Sequence, residues 1–89
     1  MGTNYAAGRR FEWAVRKMFQ EQGCTVIRAA GSKSPIDIVA IDEQRKEIQL
    51  VQCKYGSKPK RFDPPVAEGL YAVQFRLLWK PRGGEMEEL

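Results

Sequence analysis

Two β-rich runs, Ile36–Ile41 and Glu47–Lys54, are separated only by the polar turn Asp42-Glu-Gln-Arg-Lys46. That spacing constrains the fold more than any other feature of the chain. A connection this short joins neighbouring strands only when they run antiparallel, because a parallel pair needs a crossover of a dozen residues or more. A third β-rich run, Cys24–Arg28, precedes them across the loop Ala30–Pro35. The middle of the chain is therefore expected to form a three-stranded meander.

The flanks complete the architecture. From Tyr5 to Gln22 the apolar residues recur with helical spacing. With Phe11 at zero on a wheel of about 100° per residue, Val15, Met18, Ala7 and Ala14 fall within roughly 60° and Phe19 near 80°. Asn4 is placed to cap this helix, and Gly23 to end it. After the third strand comes a basic, proline-rich loop, Gly56–Pro65, in which Asp63, Pro64 and Pro65 read as a helix entry. A short helix from Val66 to Ala72 and a final strand from Gln74 to Lys80 follow, closed by Pro81 and Gly83-Gly84. A helical crossover makes the last strand parallel to the third, so the order αβββαβ predicts an α/β domain with a mixed central sheet. Residues 1–89 make one domain. A core this small is marginal alone, which points to a homo-oligomer.

Composition narrows the chemistry. No apolar run approaches the roughly 18 residues of a membrane span, and the N-terminus has no signal-peptide pattern. Cys24 and Cys53 lie inside predicted strands without metal-ligand spacing, as buried reduced thiols do, and a cytoplasmic location is expected. The chain carries 15 Lys+Arg against 11 Asp+Glu, with Glu85, Glu87 and Glu88 crowded at the end. Residues 1–82 hold all fifteen basic and eight acidic side chains, a net of +7 that suits a polyanionic partner. The chain has no histidine. Triads built on histidine, histidine-ligated zinc and nuclease mechanisms with a histidine base are thereby excluded. Any catalysis must run on carboxylates, lysine, hydroxyls and hard metal ions.

Four residues form a constellation: Glu12 on the first helix, Asp37 at the start of the second strand, and Gln52 with Lys54 on the third. Strand alternation puts Gln52 and Lys54 on one face. Glu12 sits about 100° from Phe11, at the edge of the buried stripe. Taken singly, each has an ordinary reading as a solvated, turn or cross-strand residue. Taken together, two carboxylates, an amide oxygen and the Cys53 carbonyl are the oxygen donors that Mg²⁺ requires, with Mn²⁺ as a substitute. Such an ion acidifies water and stabilises a phosphoryl transition state, and Lys54 can hold the attacking water or offset charge.

The strings Val26–Ala40, VIRAAGSKSPIDIVA, and Leu50–Lys54, LVQCK, with the upstream Glu12, resemble the PD-(D/E)xK nuclease superfamily in its archaeal-type Holliday junction resolvase branch. The likeness runs from about Gly8 to Ser57. It implies a restriction-endonuclease-like core and a metal-dependent DNA endonuclease selective for four-way junctions. Glu12, Asp37 and Gln52 would be metal ligands, Lys54 the catalytic lysine, and Ser32 a contact to the scissile-strand phosphate. The superfamily usually has Asp or Glu where this chain has Gln52, so a DNA-binding module with weak or no turnover stands as the alternative. A nicking or restriction-like duplex nuclease is a further variant of the same chemistry. The region beyond Ser57, which helps form the family's dimer, is short here.

Arg9, Arg10, Arg28, Lys33, Lys58, Lys60 and Arg61 lie on or beside the elements that carry the constellation. Such cations neutralise phosphates and position DNA without reading its sequence. Trp13 stands opposite the buried stripe, and Phe75, Leu77 and Trp79 alternate against Gln74, Arg76 and Lys80, with Leu78 breaking the polar side. Exposed aromatics of this kind mark interfaces or else pack under the C-terminal tail, and a homodimer would set two sites on two DNA strands.

Overall fold

In the computed structural model, which describes residues 3–29, 35–60 and 69–89 (side chains from Ala6 onward), one helix packs on a mixed five-stranded sheet. The helix α1 spans Thr3–Glu21. It begins before Asn4, which therefore stands inside the first turn and not at the N-terminal boundary expected of it. Its end follows expectation. Gly23 adopts φ +92°, and the Cys24 N–H donates to the Phe19 carbonyl five residues back, a glycine-dependent stop.

The buried stripe of α1 is Phe11, Val15 and Phe19, spaced four residues apart. Its centre lies about 40° beyond Phe11 on the wheel. That offset explains why Ala14 is exposed, against expectation, and why Glu12 is half-buried.

The strands are β1 (Thr25–Arg28), β2 (Ile38–Asp42), β3 (Glu47–Tyr55), β4 (Ala72–Lys80) and β5 (Glu87–Glu88), in that order across the sheet. β1, β2 and β3 form the antiparallel meander, and β3 and β4 are parallel with Leu50 beside Phe75 and Cys53 beside Leu78. The β2–β3 turn is held by Asp42, whose Oδ1 accepts from the Gln44 and Arg45 N–H groups, and Lys46 closes it at φ +57°.

Three of the differences from the sequence reading bear on the site and its surroundings. β2 starts at Ile38, so Asp37 precedes the strand and is not its first residue. Of the helix expected over Val66–Ala72, residues 66–68 lie outside the described ones. Gly69–Tyr71 form bends and Ala72 opens β4, so no helix extends that far. The acidic tail is the third difference: Glu87 and Glu88 pair antiparallel with β4, and Arg76 donates to both carboxylate oxygens of Glu88 at 2.9 and 2.7 Å. The Glu88 carboxylate holds the Arg76 guanidinium in its charged form, which also stacks 5.5 Å from the Phe19 ring centroid.

Ile38, Ala40, Val51 and Leu78 meet the α1 stripe, with Val26 and Cys53 packed at the margin. Leu78 breaks the polar side of β4 because that is where α1 covers the strand. Its neighbour Leu77 is equally buried on the other face. Each fully buried apolar side chain contributes about 1.5–3 kcal/mol. Leu78→Ala should destabilise the fold by about 2–5 kcal/mol in urea denaturation. A loss under 1 kcal/mol would remove Leu78 from the core.

Candidate active site

β3 outruns β2. Ile38, the first residue of β2, pairs with Val51, so Gln52–Tyr55 have β4 on one side and, among the described residues, no strand on the other. Asp37 fills that gap. Its N–H donates to the Val51 carbonyl at 2.8 Å, and its Oδ2 accepts the Cys53 N–H at 2.8 Å. The carboxylate thus continues the ladder as a side-chain substitute for a missing strand. Within a strand the N–H and C=O of one residue face the same neighbour, so the Cys53 carbonyl also opens toward Asp37.

α1 crosses above this sheet end. Glu12 accepts from Arg28 Nε at 2.9 Å, and Arg28 is the last residue of β1, beside Ile38. One cleft collects Gly8, Arg9, Glu12, Arg28, Asp37, Cys53, Lys54 and Tyr55. It draws on both faces of β3 because the strand is flanked there by β4 alone among the described residues. Glu12, Asp37 and Lys54 are therefore brought together, along with Arg9, Arg28 and the Cys53 backbone. Gln52 is not among the residues lining this cleft. Its Oε1 is buried and has no hydrogen-bond partner among the described residues.

The remaining predicted contacts are scattered. Arg10 lines an adjoining cleft with Arg9, Glu12 and Arg28. Lys58 Nζ stands 5.9 Å from the Trp79 ring centroid, and Lys60 is exposed. Ser32, Lys33 and Arg61 lie outside the described residues. Sequence reasoning missed Gly8 and Tyr55 as cleft residues. Gly8 lies one helical turn before Glu12, and Tyr55 follows Lys54 in a strand that runs one residue longer than expected. Both were within reach of the same periodicities.

The electrostatics set the site apart. Burial pushes the Asp37 carboxyl above its ordinary 3.8; the Cys53 N–H bond opposes that rise, the nearby Glu12 adds to it and Arg28 works against it. Burial also drives the Cys53 thiol well up from 9.0, with Asp37 and Glu12 adding to the rise. The thiol therefore stays protonated and offers no thiolate. No group of three or more His, Cys, Asp or Glu side chains that could hold a metal stands among the described residues. A cation here would find the two carboxylates and the Cys53 carbonyl, with water completing its shell. Among the same residues no helix is long and apolar enough to cross a membrane.

Comparison with known proteins places these features in a family context. A family model described as archaeal Holliday junction resolvase (Hjc) matches residues 3–71. The chain is also similar to the crossover junction endodeoxyribonuclease Hjc of Methanocaldococcus jannaschii, with 35% identity over 60 residues. That match covers 67% of this chain and 43% of the relative, so the chain spans less than half the relative's length. No solved structure matches it.

The raised Asp37 pKa has a consequence for stability. The folded chain holds this proton more tightly than the unfolded one, so stability falls as pH climbs from 3.8 through the raised folded value. Asp37→Asn removes the titration. In chelator its thermal midpoint should exceed the parent's at pH 7, and the gap should close as pH falls to 3.8. A lower midpoint at pH 7 would mean that the charged hydrogen bond to Cys53 outweighs burial.

Proposed function

The chain belongs to the archaeal Holliday junction resolvase family, and we propose that it is a divalent-metal-dependent DNA endonuclease that cuts four-way junctions. The observation that carries this reading is the convergence of Glu12, Asp37 and Lys54 in one cleft at the shared end of β2 and β3. The relative's name, crossover junction endodeoxyribonuclease, supports the substrate class. The net +7 of residues 1–82 suits it as well.

The residues present fit a hard cation. Glu12, Asp37 and the Cys53 carbonyl are oxygen donors, the Cys53 thiol is withdrawn by protonation, and the orphaned Gln52 Oε1 is a buried acceptor in need of a positive partner. Glu12, Asp37 and the Cys53 carbonyl would hold Mg²⁺, or Mn²⁺ in its place, with Gln52 joining them by turning its amide into the cleft. When bound, the ion supplies an acidified water and neutralises charge on the phosphate. The chain's own groups do the rest. The Cys53 N–H fixes the Asp37 carboxylate at the cleft wall, and Arg28 holds Glu12 beside it. Lys54 donates to the attacking water and offsets the negative charge that develops at phosphorus. Arg9 and Arg28 hold flanking phosphates without reading bases. A homodimer about a two-fold axis would set two such clefts on two strands of one junction.

The uncharged Gln52 favours a second reading, a DNA-binding module that turns over slowly or not at all. Incubating the protein with four-way junction, linear duplex and single-stranded DNA, in Mg²⁺ or EDTA, separates the two. Paired symmetric cuts in the junction, in Mg²⁺ only, support the endonuclease. Tight binding without product in any divalent metal, unchanged by Asp37→Ala, sinks it. Lys54→Ala should slow cleavage by about 10²–10⁴-fold while binding persists; equal loss of both would make Lys54 a phosphate contact only. Gln52→Glu should raise cleavage at limiting Mg²⁺, because it adds a charge to the ligand set, and a fall would exclude position 52 from that set.

A further inference from the structure

The catalytic cleft does not end at Glu12. It shares Arg9, Glu12 and Arg28 with a neighbouring cleft that adds Arg10, Trp13 and Arg16, and a third cleft takes Trp13 and Arg16 on to Lys17. Together they make a continuous track along the outer side of α1. Arg9, Trp13 and Arg16 follow each other at helical spacings of four and three, so they share one face. Among the described residues, the two clefts beyond the catalytic one bring five cations against a single carboxylate, Glu12, which Arg28 already engages.

Trp13 stands in the middle of this charge and is 56% exposed. Lys17 Nζ lies 5.1 Å from its ring centroid, and Arg16 Nε is buried without a hydrogen-bond partner among the described residues. An apolar protein partner covering this indole would have to strip water from the surrounding cations without compensation. A nucleic-acid strand has no such difficulty, since its phosphates meet the cations and its bases present flat faces to the ring.

We propose that Trp13 stacks on an unpaired base of the DNA strand leaving the catalytic cleft, while Arg10, Arg16 and Lys17 hold that strand's phosphates. The inference rests on the reading of the chain as a DNA-cutting enzyme and adds a residue that senses DNA opening. A base inside a duplex is hidden by its neighbours in the stack, so this contact favours DNA with exposed bases over fully paired DNA.

The test is binding in EDTA to a thymidine single strand and to a fully paired duplex of equal length, with thermal midpoints confirming that each variant folds. Trp13→Ala should weaken the single-strand complex roughly 5- to 100-fold and leave the duplex complex nearly unchanged. Trp13→Phe should keep most of the affinity. Arg16→Gln should make the salt dependence shallower by about one charge, whereas Trp13→Ala should leave that slope alone. Tryptophan emission of the parent should be quenched by the single strand more than that of Trp13→Phe, which retains Trp79. Equal losses on both DNAs, or no loss on the single strand, would overturn the proposal. If the parent cuts no junction but the selective Trp13 effect persists, the endonuclease reading fails and the stacking contact stands. If cleavage is intact and the Trp13 effect is missing, the stacking contact alone fails.

Discussion

Where β2 stops, β3 continues, and the backbone N–H of Cys53 would face an empty position if Asp37 did not reach into it. An unpaired N–H in a half-buried setting costs about 1–3 kcal/mol, so a single carboxylate does the work of a strand residue. The same hydrogen bond fixes where that carboxylate sits. It is held against the sheet end by the fold's own requirement for a hydrogen-bond partner, and the acid is kept half-buried, where its charge is disfavoured. The rest of the cleft is arranged around this point: Arg28 arrives because β1 pairs in register with Ile38, and Lys54 because it follows Cys53.

The helix supplies the opposing wall by a small rotation. Its apolar stripe runs Phe11, Val15, Phe19, which turns Glu12 inward and Trp13 outward. Adjacent residues on α1 therefore serve different surfaces. One carboxylate meets a guanidinium over the sheet end, and the next side chain, an indole, lies in a cationic track. Packing of three apolar residues sets both directions, so the core and the candidate site cannot be altered independently along this helix.

Much of this was legible in the chain itself. The short polar turn required an antiparallel pair, the crossover length required a parallel one, and Gly23 marked the helix stop. The meeting of Glu12, Asp37 and Lys54 at one sheet end was a conditional expectation from strand alternation and the helical wheel, strengthened by the family resemblance. Gln52 shows the limit of that reasoning. Strand alternation states which face a side chain takes but not where a neighbouring strand ends, and it is the late start of β2 at Ile38 that shapes the cleft wall. The tail was illegible for another reason. Glu87 and Glu88 have little intrinsic preference for a strand, and their pairing depends on Arg76 and on the Leu89 N–H bond to Leu77.

That tail also decides how the sheet meets its surroundings. An open strand margin is a template on which another chain can add itself. Beyond β4 this margin is only two residues long, both are glutamates, and Arg76 fastens it down. A second copy approaching there would set acid against acid with almost no backbone to pair. Strand addition at β5 is therefore disfavoured by both its charge and its length.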